Sequence, residues 1–432
     1  MALRTWRALR RAAVCISSGA ALSVALAACN ESLDGSAGCP LACGNVSPQI
    51  QTITLNGIAL DTTVPADLGL GSGTEMLLSN RGDTLDTRVI ARFDTLPTVT
   101  LTSSGSTTST AAISFVDSAY LRLHFDTTQV GATVPVTISA YDVDTTAGND
   151  TSVATLAPLF TPERFIGSIT FPFGKPTDTA SIAIPSAFML GKIQAHKRLR
   201  IGLRISSTQS ASARILSTET LEGPEITMRI SQDNTIAGIA LTAYSTTPVD
   251  DKIVAGNLAD FTLLVIGTLA PPDTILAVGG LPVERTYFRF NLPSLIVDSA
   301  IIVRATLVLT QAPGATPDQA DTMLVYPSIV VAGGIVTDPG RAAQIISSTL
   351  VTMEPLVTHP EDIGVKEIEI APVFPAWAVQ NETEFPRAIV LRSGQEALSP
   401  QQARFYSSEA LDPSKRPQLR ISYTLRTRVG AP

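Results

Sequence analysis

Residues 303–310 read Val-Arg-Ala-Thr-Leu-Val-Leu-Thr. Apolar side chains at Val303, Ala305, Leu307 and Leu309 alternate with Arg304, Thr306 and Thr310, broken only by Val308. A strand sends successive side chains to opposite faces, so this period of two describes a strand with one face buried and one solvated. The same pattern recurs in both directions from it. Ile50-Gln51-Thr52-Ile53-Thr54-Leu55 carries it near the start, and Thr133-Val134-Pro135-Val136-Thr137-Ile138 carries it further on. Threonine fills many outward positions, as suits a pleated, solvated face. Between the runs lie turn signals: Gly71-Ser72-Gly73, Arg81-Gly82-Asp83, Gly148-Asn149-Asp150 and Gly279-Gly280. Helical spacing is nearly absent, with short helical turns expected only around Ser186–Lys192 and Pro339–Ser347. Short strands with regular breaks predict an all-β chain whose antiparallel sheets pack as sandwiches of the jelly-roll kind.

The chain also repeats itself. Arg92-Phe93-Asp94-Thr95-Leu96-Pro97 matches Arg289-Phe290-Asn291-Leu292-Pro293. Val116-Asp117-Ser118-Ala119 matches Val297-Asp298-Ser299-Ala300. Ala213-Arg214-Ile215-Leu216-Ser217-Thr218-Glu219 matches Ala403-Arg404-Phe405-Tyr406-Ser407-Ser408-Glu409, and each runs on through a proline to a final strand. A fainter match sets Ile182-Ala183-Ile184-Pro185 and Phe188 against Ile368-Glu369-Ile370-Ala371-Pro372 and Trp377, a strand followed by a turn that sends an aromatic into the core. The ordered pieces lie 197, 181 and 190 residues apart, from Arg92 to Arg289, Asp117 to Asp298 and Arg214 to Arg404. Two tandem copies of one module are therefore expected, at 49–231 and 232–427, with a short tail at 428–432.

A module that runs Arg-Phe-Asp-x-Leu-Pro, then alternating strands, then Ser-x-Glu and Pro-x-Leu-x-Ile-x-Tyr resembles the DNRLRE-type domain of bacterial surface and secreted proteins. More distantly it is similar to the jelly rolls of carbohydrate-binding modules. The second copy fits best, from Glu284 to Pro293, from Ala305 to Leu309, and from Phe405 to Tyr423. The first departs from it: no aromatic pair precedes its Ser-x-Glu, and it ends in Ser231 where the second has Tyr423. The resemblance implies a β-sandwich in a structural, adhesive or glycan-facing role and carries over no catalytic residue.

The first 28 residues form a separate signal. Arg4, Arg7, Arg10 and Arg11 precede a weakly apolar run from Ala12 to Ala28, too short for a comfortable membrane span. The run ends Leu26-Ala27-Ala28-Cys29, which resembles the lipobox of bacterial lipoproteins. That resemblance implies cleavage before Cys29 and lipidation of Cys29. The acyl chains would then supply the membrane affinity, at about 0.8 kcal/mol per buried CH₂. Asn30 in place of Asp implies an outer-membrane destination. Residues 29–48 are small and turn-rich, a flexible tether. Within it, Cys39 and Cys43 suggest a local disulfide in an exported chain, with free thiols, further lipid chemistry or a metal site as the alternatives. Beyond Cys43 the chain has no cysteine.

Composition narrows the chemistry. Of 432 residues only 16% are charged, which argues against disorder and coiled coil. The formal net charge is −7, and losing the four arginines of residues 1–28 takes it to −11, which argues against a nucleic-acid partner. The three histidines, His124, His196 and His359, occupy unrelated places, and no nucleophile elbow, zinc-protease or phosphate-loop motif is present. Asp142, Asp144 and Asp150 offer oxygen ligands for a calcium ion but lack the EF-hand spacing and its closing glutamate, so a solvated turn is the plainer reading. Trp377 is the only tryptophan after the signal, and its repeated setting marks it as core. The repeated Arg92, Arg289, Glu219 and Glu409 are expected to pair within each module or to close the Ser/Thr turn; the alternative is a grip on a sugar hydroxyl or cation. Asp117 and Asp298 are expected to open strands as Asx turns.

Together these readings lead to a non-catalytic, lipid-anchored protein of the bacterial envelope with a structural or adhesive role. The other reading is a lipoprotein that binds envelope polysaccharide through a sheet face or loop rim. Partners would be the membrane, polysaccharide or surface proteins, and no cofactor beyond a structural calcium is expected.

Overall fold

Alternation such as that of Ala305, Leu307 and Leu309 buries one face of a strand, and the strands so formed assemble into two β-sandwiches. The computed structural model describes residues 49–66, 71, 73–104, 107–126, 134–146, 150–171, 178–232, 238–246, 258–314, 322–359, 362–379 and 386–426. The expected signal, Cys29, the tether with Cys39 and Cys43, and the 428–432 tail lie outside them. Residues Ile50–Pro432 belong to one compact unit.

The strands of the first half are β1 Gln51–Leu55, β2 Ile58–Pro65, β3 Glu75–Asn80, β4 Asp86–Phe93, β5 Val99–Ser104, β6 Thr107–Ala112, β7 Ser118–His124, β8 Val136–Asp142, β9 Phe165–Phe171, β10 Thr179–Ile184, β11 Leu199–Ser207, β12 Ala211–Leu216 and β13 Glu225–Arg229. Those of the second are β14 Ile239–Thr242, β15 Asp260–Ile266, β16 Ile275–Gly279, β17 Glu284–Phe290, β18 Ala300–Ala312, β19 Met323–Val330, β20 Ile346–Ser347, β21 Leu356–Thr358, β22 Gly364–Glu369, β23 Ala388–Ser393, β24 Gln402–Tyr406 and β25 Gln418–Leu425.

The repeat seen in the sequence is a repeat of topology. In the first sandwich β12-β3-β4-β11-β8-β9 faces β10-β7-β13-β14. In the second, β24-β16-β17-β23-β19 faces β22-β18-β25-β1, and β18 pairs with β24 to join the two faces. The same join in the first half is a single bridge between Phe125 and Ile215. Leu78, Val89, Leu121, Ile138, Ile182 and Ile201 fill the first core; Val278, Phe288, Leu307, Val325, Ile368 and Ile389 fill the second. Each such side chain contributes about 1.5–3 kcal/mol by leaving water. The helix Ser186–Gln194 follows β10 as the short helix Phe374–Val379 follows β22. Trp377 is buried against Phe290 and Phe374, with ring centroids 5.7 and 5.3 Å away. The Gly279-Gly280 turn has φ +83° at both residues, and a Cβ on Gly279 would lie 2.5 Å from the Gln401 carbonyl oxygen.

The strands cross the 231/232 boundary that the repeat suggests. β1 pairs with β25 and β2 with β17, so Gln51–Pro65 completes the second sandwich. Conversely, β14 pairs with β13 and β15 with β4, so Ile239–Ile266 completes the first. Each copy lends its two leading strands to the other copy. Ile53, Leu55 and Ile58 pack on the second core; Ile239 and Leu241 pack on the first. Over the outer face of β4, Phe261 and Leu263 of β15 form a further apolar layer with Ile90, Val143 and Leu156. Val64 of β2 does the same over Tyr287 of β17.

The fall in offset from 197 to 181 also has a structural cause. The hairpin β5–β6 pairs only with itself and occupies the place where the second copy runs Asn291-Leu292-Pro293 into a single helical turn, Leu295–Ser299.

Candidate functional site

The repeated Ser/Thr-Glu segments sit where the lent strands dock. After β12, Ser217 Oγ donates to the Gly73 carbonyl at 2.6 Å and accepts the Glu219 amide at 3.3 Å. After β24, Ser407 Oγ donates to the Asp273 carbonyl at 2.9 Å and accepts the Glu409 amide at 3.1 Å. The serine closes each turn, and the glutamate side chains stand exposed. The next residue is then aimed at an aspartate of the lent strand. Asp260 of β15 accepts the Thr218 amide at 2.9 Å and its hydroxyl at 3.0 Å. Asp61 of β2 accepts the Ser408 amide at 2.8 Å and also its hydroxyl. Both aspartates are buried. Burial pushes the Asp260 carboxyl up to about 7; the Thr218 hydrogen bonds oppose this and the nearby Glu219 charge adds to it. Asp61 is raised for the same reasons, with Ser408 and Glu409 in the corresponding parts.

Beside the Asp61 contact lies a cleft of about 520 Å³ lined by Leu60, Asp273, Ile275, Glu284 and Glu409 among others. Burial pushes Glu284 up to about 7 against the opposing charge of Arg404. Glu284 accepts from Gln402 Nε2 at 2.7 Å.

Two of the three expected calcium ligands, Asp142 and Asp144, line a second cleft of about 670 Å³, and Asp150 does not. There Asp142 meets Lys192 Nζ at 2.8 Å, and Asp144 meets Arg198 Nε at 2.6 Å. Arg164 donates to the carbonyls of Asp142 and Asp144 at 2.7 and 3.1 Å. Asp150 accepts from the Thr145 hydroxyl and offers its carbonyl to Arg92. The Asp142 and Asp144 carboxylates are thus turned onto cations and that of Asp150 onto a hydroxyl, and among the described residues no group of three or more His, Cys, Asp or Glu is arranged to hold a metal ion.

Arg92 and Arg289 occupy equivalent strand positions with different outcomes. Arg92 is fully buried, donates to the carbonyls of Leu258 and Asp150 at 3.2 and 2.7 Å, and lies 5.1 Å from the centre of the Phe261 ring. Burial, and then the adjacent Arg200, lower its pKa to about 10. Arg200 pairs with Asp94 at 3.0 Å. Burial works against the ionised Asp94, but its contacts with Arg200, Ser245 and Thr246 hold its pKa below the usual value. Arg289 is exposed. Asp117 and Asp298 are exposed at the entries to β7 and β18, Asp298 within the turn Leu295–Ser299.

A second repeated arginine escapes the motif reading. Arg88 and Arg285, each four residues before Arg92 and Arg289, are both buried. Arg88 binds Asp86 at 2.7 Å and the Ala157 carbonyl at 3.0 Å. Arg285 binds Glu396 at 2.7 Å and the Ala343 carbonyl at 2.9 Å. The shared Arg-x-x-x-Arg-Phe spacing was the available signal. The histidines remain apart: His124 in β7, His196 at φ +51° after the helix Ser186–Gln194, and His359 after β21.

No protein-family model matches the chain, and no curated protein matches it. Solved structures with weak similarity are virus particles. That of infectious bursal disease virus Gx strain shares 11% identity over 85% of this chain and 76% of its own, with a TM-score of 0.12. That of the Macrobrachium rosenbergii nodavirus shares 9% over 89% and 98%, with a TM-score of 0.14. At these scores they carry no argument here.

Proposed function

We propose that this chain is a non-catalytic, lipid-anchored protein of the bacterial cell envelope, held to the membrane through Cys29 and serving a structural or adhesive role. The anchor rests on the lipobox-like Leu26-Ala27-Ala28-Cys29, and one structural observation supports the structural role. The polar constellation repeated in both halves, Asp61 with Ser408 and Asp260 with Thr218, ties strand to sandwich. Two of the acids offered by the sequence as metal ligands, Asp142 and Asp144, are matched by Lys192 and Arg198. A body whose repeated chemistry goes into interlocking its own parts suits a rigid presenting role.

The glycan-binding alternative has the two polar clefts in its favour. Among the described residues neither lining includes a Phe, Tyr or Trp side chain, so a sugar there would be held by hydrogen bonds without the stacking those rings give. Lipid labelling and fractionation of the full chain in a Gram-negative host test the leading reading. The wild type is expected in the membrane pellet carrying labelled acyl chains, and Cys29→Ser in the soluble fraction without them. Persistence of the Cys29→Ser chain in salt-washed membranes would overturn the anchor. Saturable binding of the body to an envelope polysaccharide would replace the leading role with the alternative.

A further inference from the structure

The two lent segments are held differently by the rest of the body. Ile239–Ile266 lies between the sandwiches in the chain: β13 precedes it and β16 follows it, so neither end can leave. Gln51–Pro65 holds the first two strands among the described residues and continues into the body through the nine residues 66–74 that lead to β3. Yet both of its strands pair with strands of the second sandwich. Five residues of β1 register against β25, from Gln51 opposite Tyr423 to Leu55 opposite Leu419. Seven positions of β2 register against β17. Ile53, Leu55 and Ile58 pack on the second core, and Asp61 is taken up by the Ser408 amide and hydroxyl. The arm is therefore a ligand with its own key: main-chain pairing gives it hold, and the Asp61 carboxylate sets its register.

We propose that this arm is exchangeable, and that the acceptor edges of β17 and β25 on one chain seat the Gln51–Pro65 arm of a second copy. The second copy is the occupant the observations favour, because its arm is identical to the one already seated and the interface needs no new surface. Two chains that trade arms form a closed twofold pair in which every strand contact of the single chain is kept. The nine-residue connection spans at most about 30 Å, so the arm's own sandwich sees it at high effective concentration. Exchange is accordingly expected to grow with protein concentration.

Thr52 and Ser422 face each other directly, with their hydroxyl oxygens 2.9 Å apart. This permits a test in full chains whose four native cysteines are replaced by serine. One chain carries Thr52→Cys and the other Ser422→Cys, so a disulfide joins them only if the arm of the first sits on the second. Mixing across a concentration series followed by mild oxidation is expected to give a disulfide-linked heterodimer that increases with concentration. Adding Asp61→Ala to the first chain should cut its yield several-fold. Thr54→Cys, which stands opposite Arg420 instead, should give little. No heterodimer at any concentration would overturn the proposal, as would equal yields from Thr52→Cys and Thr54→Cys, which mean random collision. A single chain carrying both Thr52→Cys and Ser422→Cys should close on itself; failure to do so would show that the arm does not seat and would also overturn it. Native mass spectrometry of the unmodified chain mixed with an isotope-labelled copy gives the same reading without substitutions: mixed dimers are expected, and their absence at every concentration would contradict exchange.

Discussion

Asp260 is 1% exposed, accepts two hydrogen bonds from Thr218, and still has its pKa raised to about 7, because burial outweighs those bonds. The consequence has a definite sign. Between its ordinary value of 3.8 and about 7 the folded chain holds this proton and the unfolded chain has lost it. The stabilisation is complete below about pH 4 and is lost as pH rises through about 7, a span on the order of 2–4 kcal/mol. Asp61 is raised too and acts in the same direction. Denaturant unfolding at pH 5 and pH 8 should find the body less stable at the higher pH, and Asp260→Asn should remove part of that difference, with Glu284 and Asp61, both also raised, keeping the rest. A slope unchanged by Asp260→Asn would count against the burial of this carboxyl. Thr218→Val and Ser408→Ala each remove one hydroxyl donor from a buried carboxylate, and each should cost about 1–3 kcal/mol in the same measurement. Trp377 is buried among Phe290 and Phe374, so Trp377→Ala should cost about 3–5 kcal/mol by leaving a cavity in the second core.

At the scale of elements, period-two alternation made the strands legible, because the buried face of a strand must be apolar whichever neighbour it has. The helix Ser186–Gln194 and the Gly279-Gly280 turn were legible for similarly local reasons. The partner of each strand was not. Gln51-Thr52-Ile53-Thr54-Leu55 alternates equally well beside β25 as beside any strand of its own half, and alternation does not say which edge it joins. The signal that could have revealed the exchange was the single aspartate in the second lent strand of each copy, Asp61 in β2 and Asp260 in β15, 199 residues apart. A lone acid in a strand attracts little notice until the donor facing it is known. The repeated glutamates drew attention instead, and they stand exposed beside the serines that close the turns. The hairpin β5–β6 yields a simple expectation. It pairs only with itself, and the second copy does without it. Replacing Val99–Ala112 with a short turn should shift the stability by less than about 1 kcal/mol, since surface changes away from packed contacts are seldom larger. A loss of several kcal/mol would mean that the hairpin supports the first core.

The body as a whole is two sandwiches, each completed by strands from the other copy. The duplication was readable because the Arg-Phe, Val-Asp-Ser-Ala and Ser-x-Glu pieces mark the same turns and strand entries in both halves. The boundary between the halves was not readable as a folding boundary, since sequence repeats and packed units are out of step by one pair of strands. The most direct test of this account compares two fragments by circular dichroism and denaturant unfolding. Residues 49–231 follow the repeat and lack β14 and β15; residues 67–266 follow the packing and include them. Residues 67–266 should unfold in one cooperative transition, and 49–231 should be far less stable or unfolded. Equal or greater stability of 49–231 would contradict it.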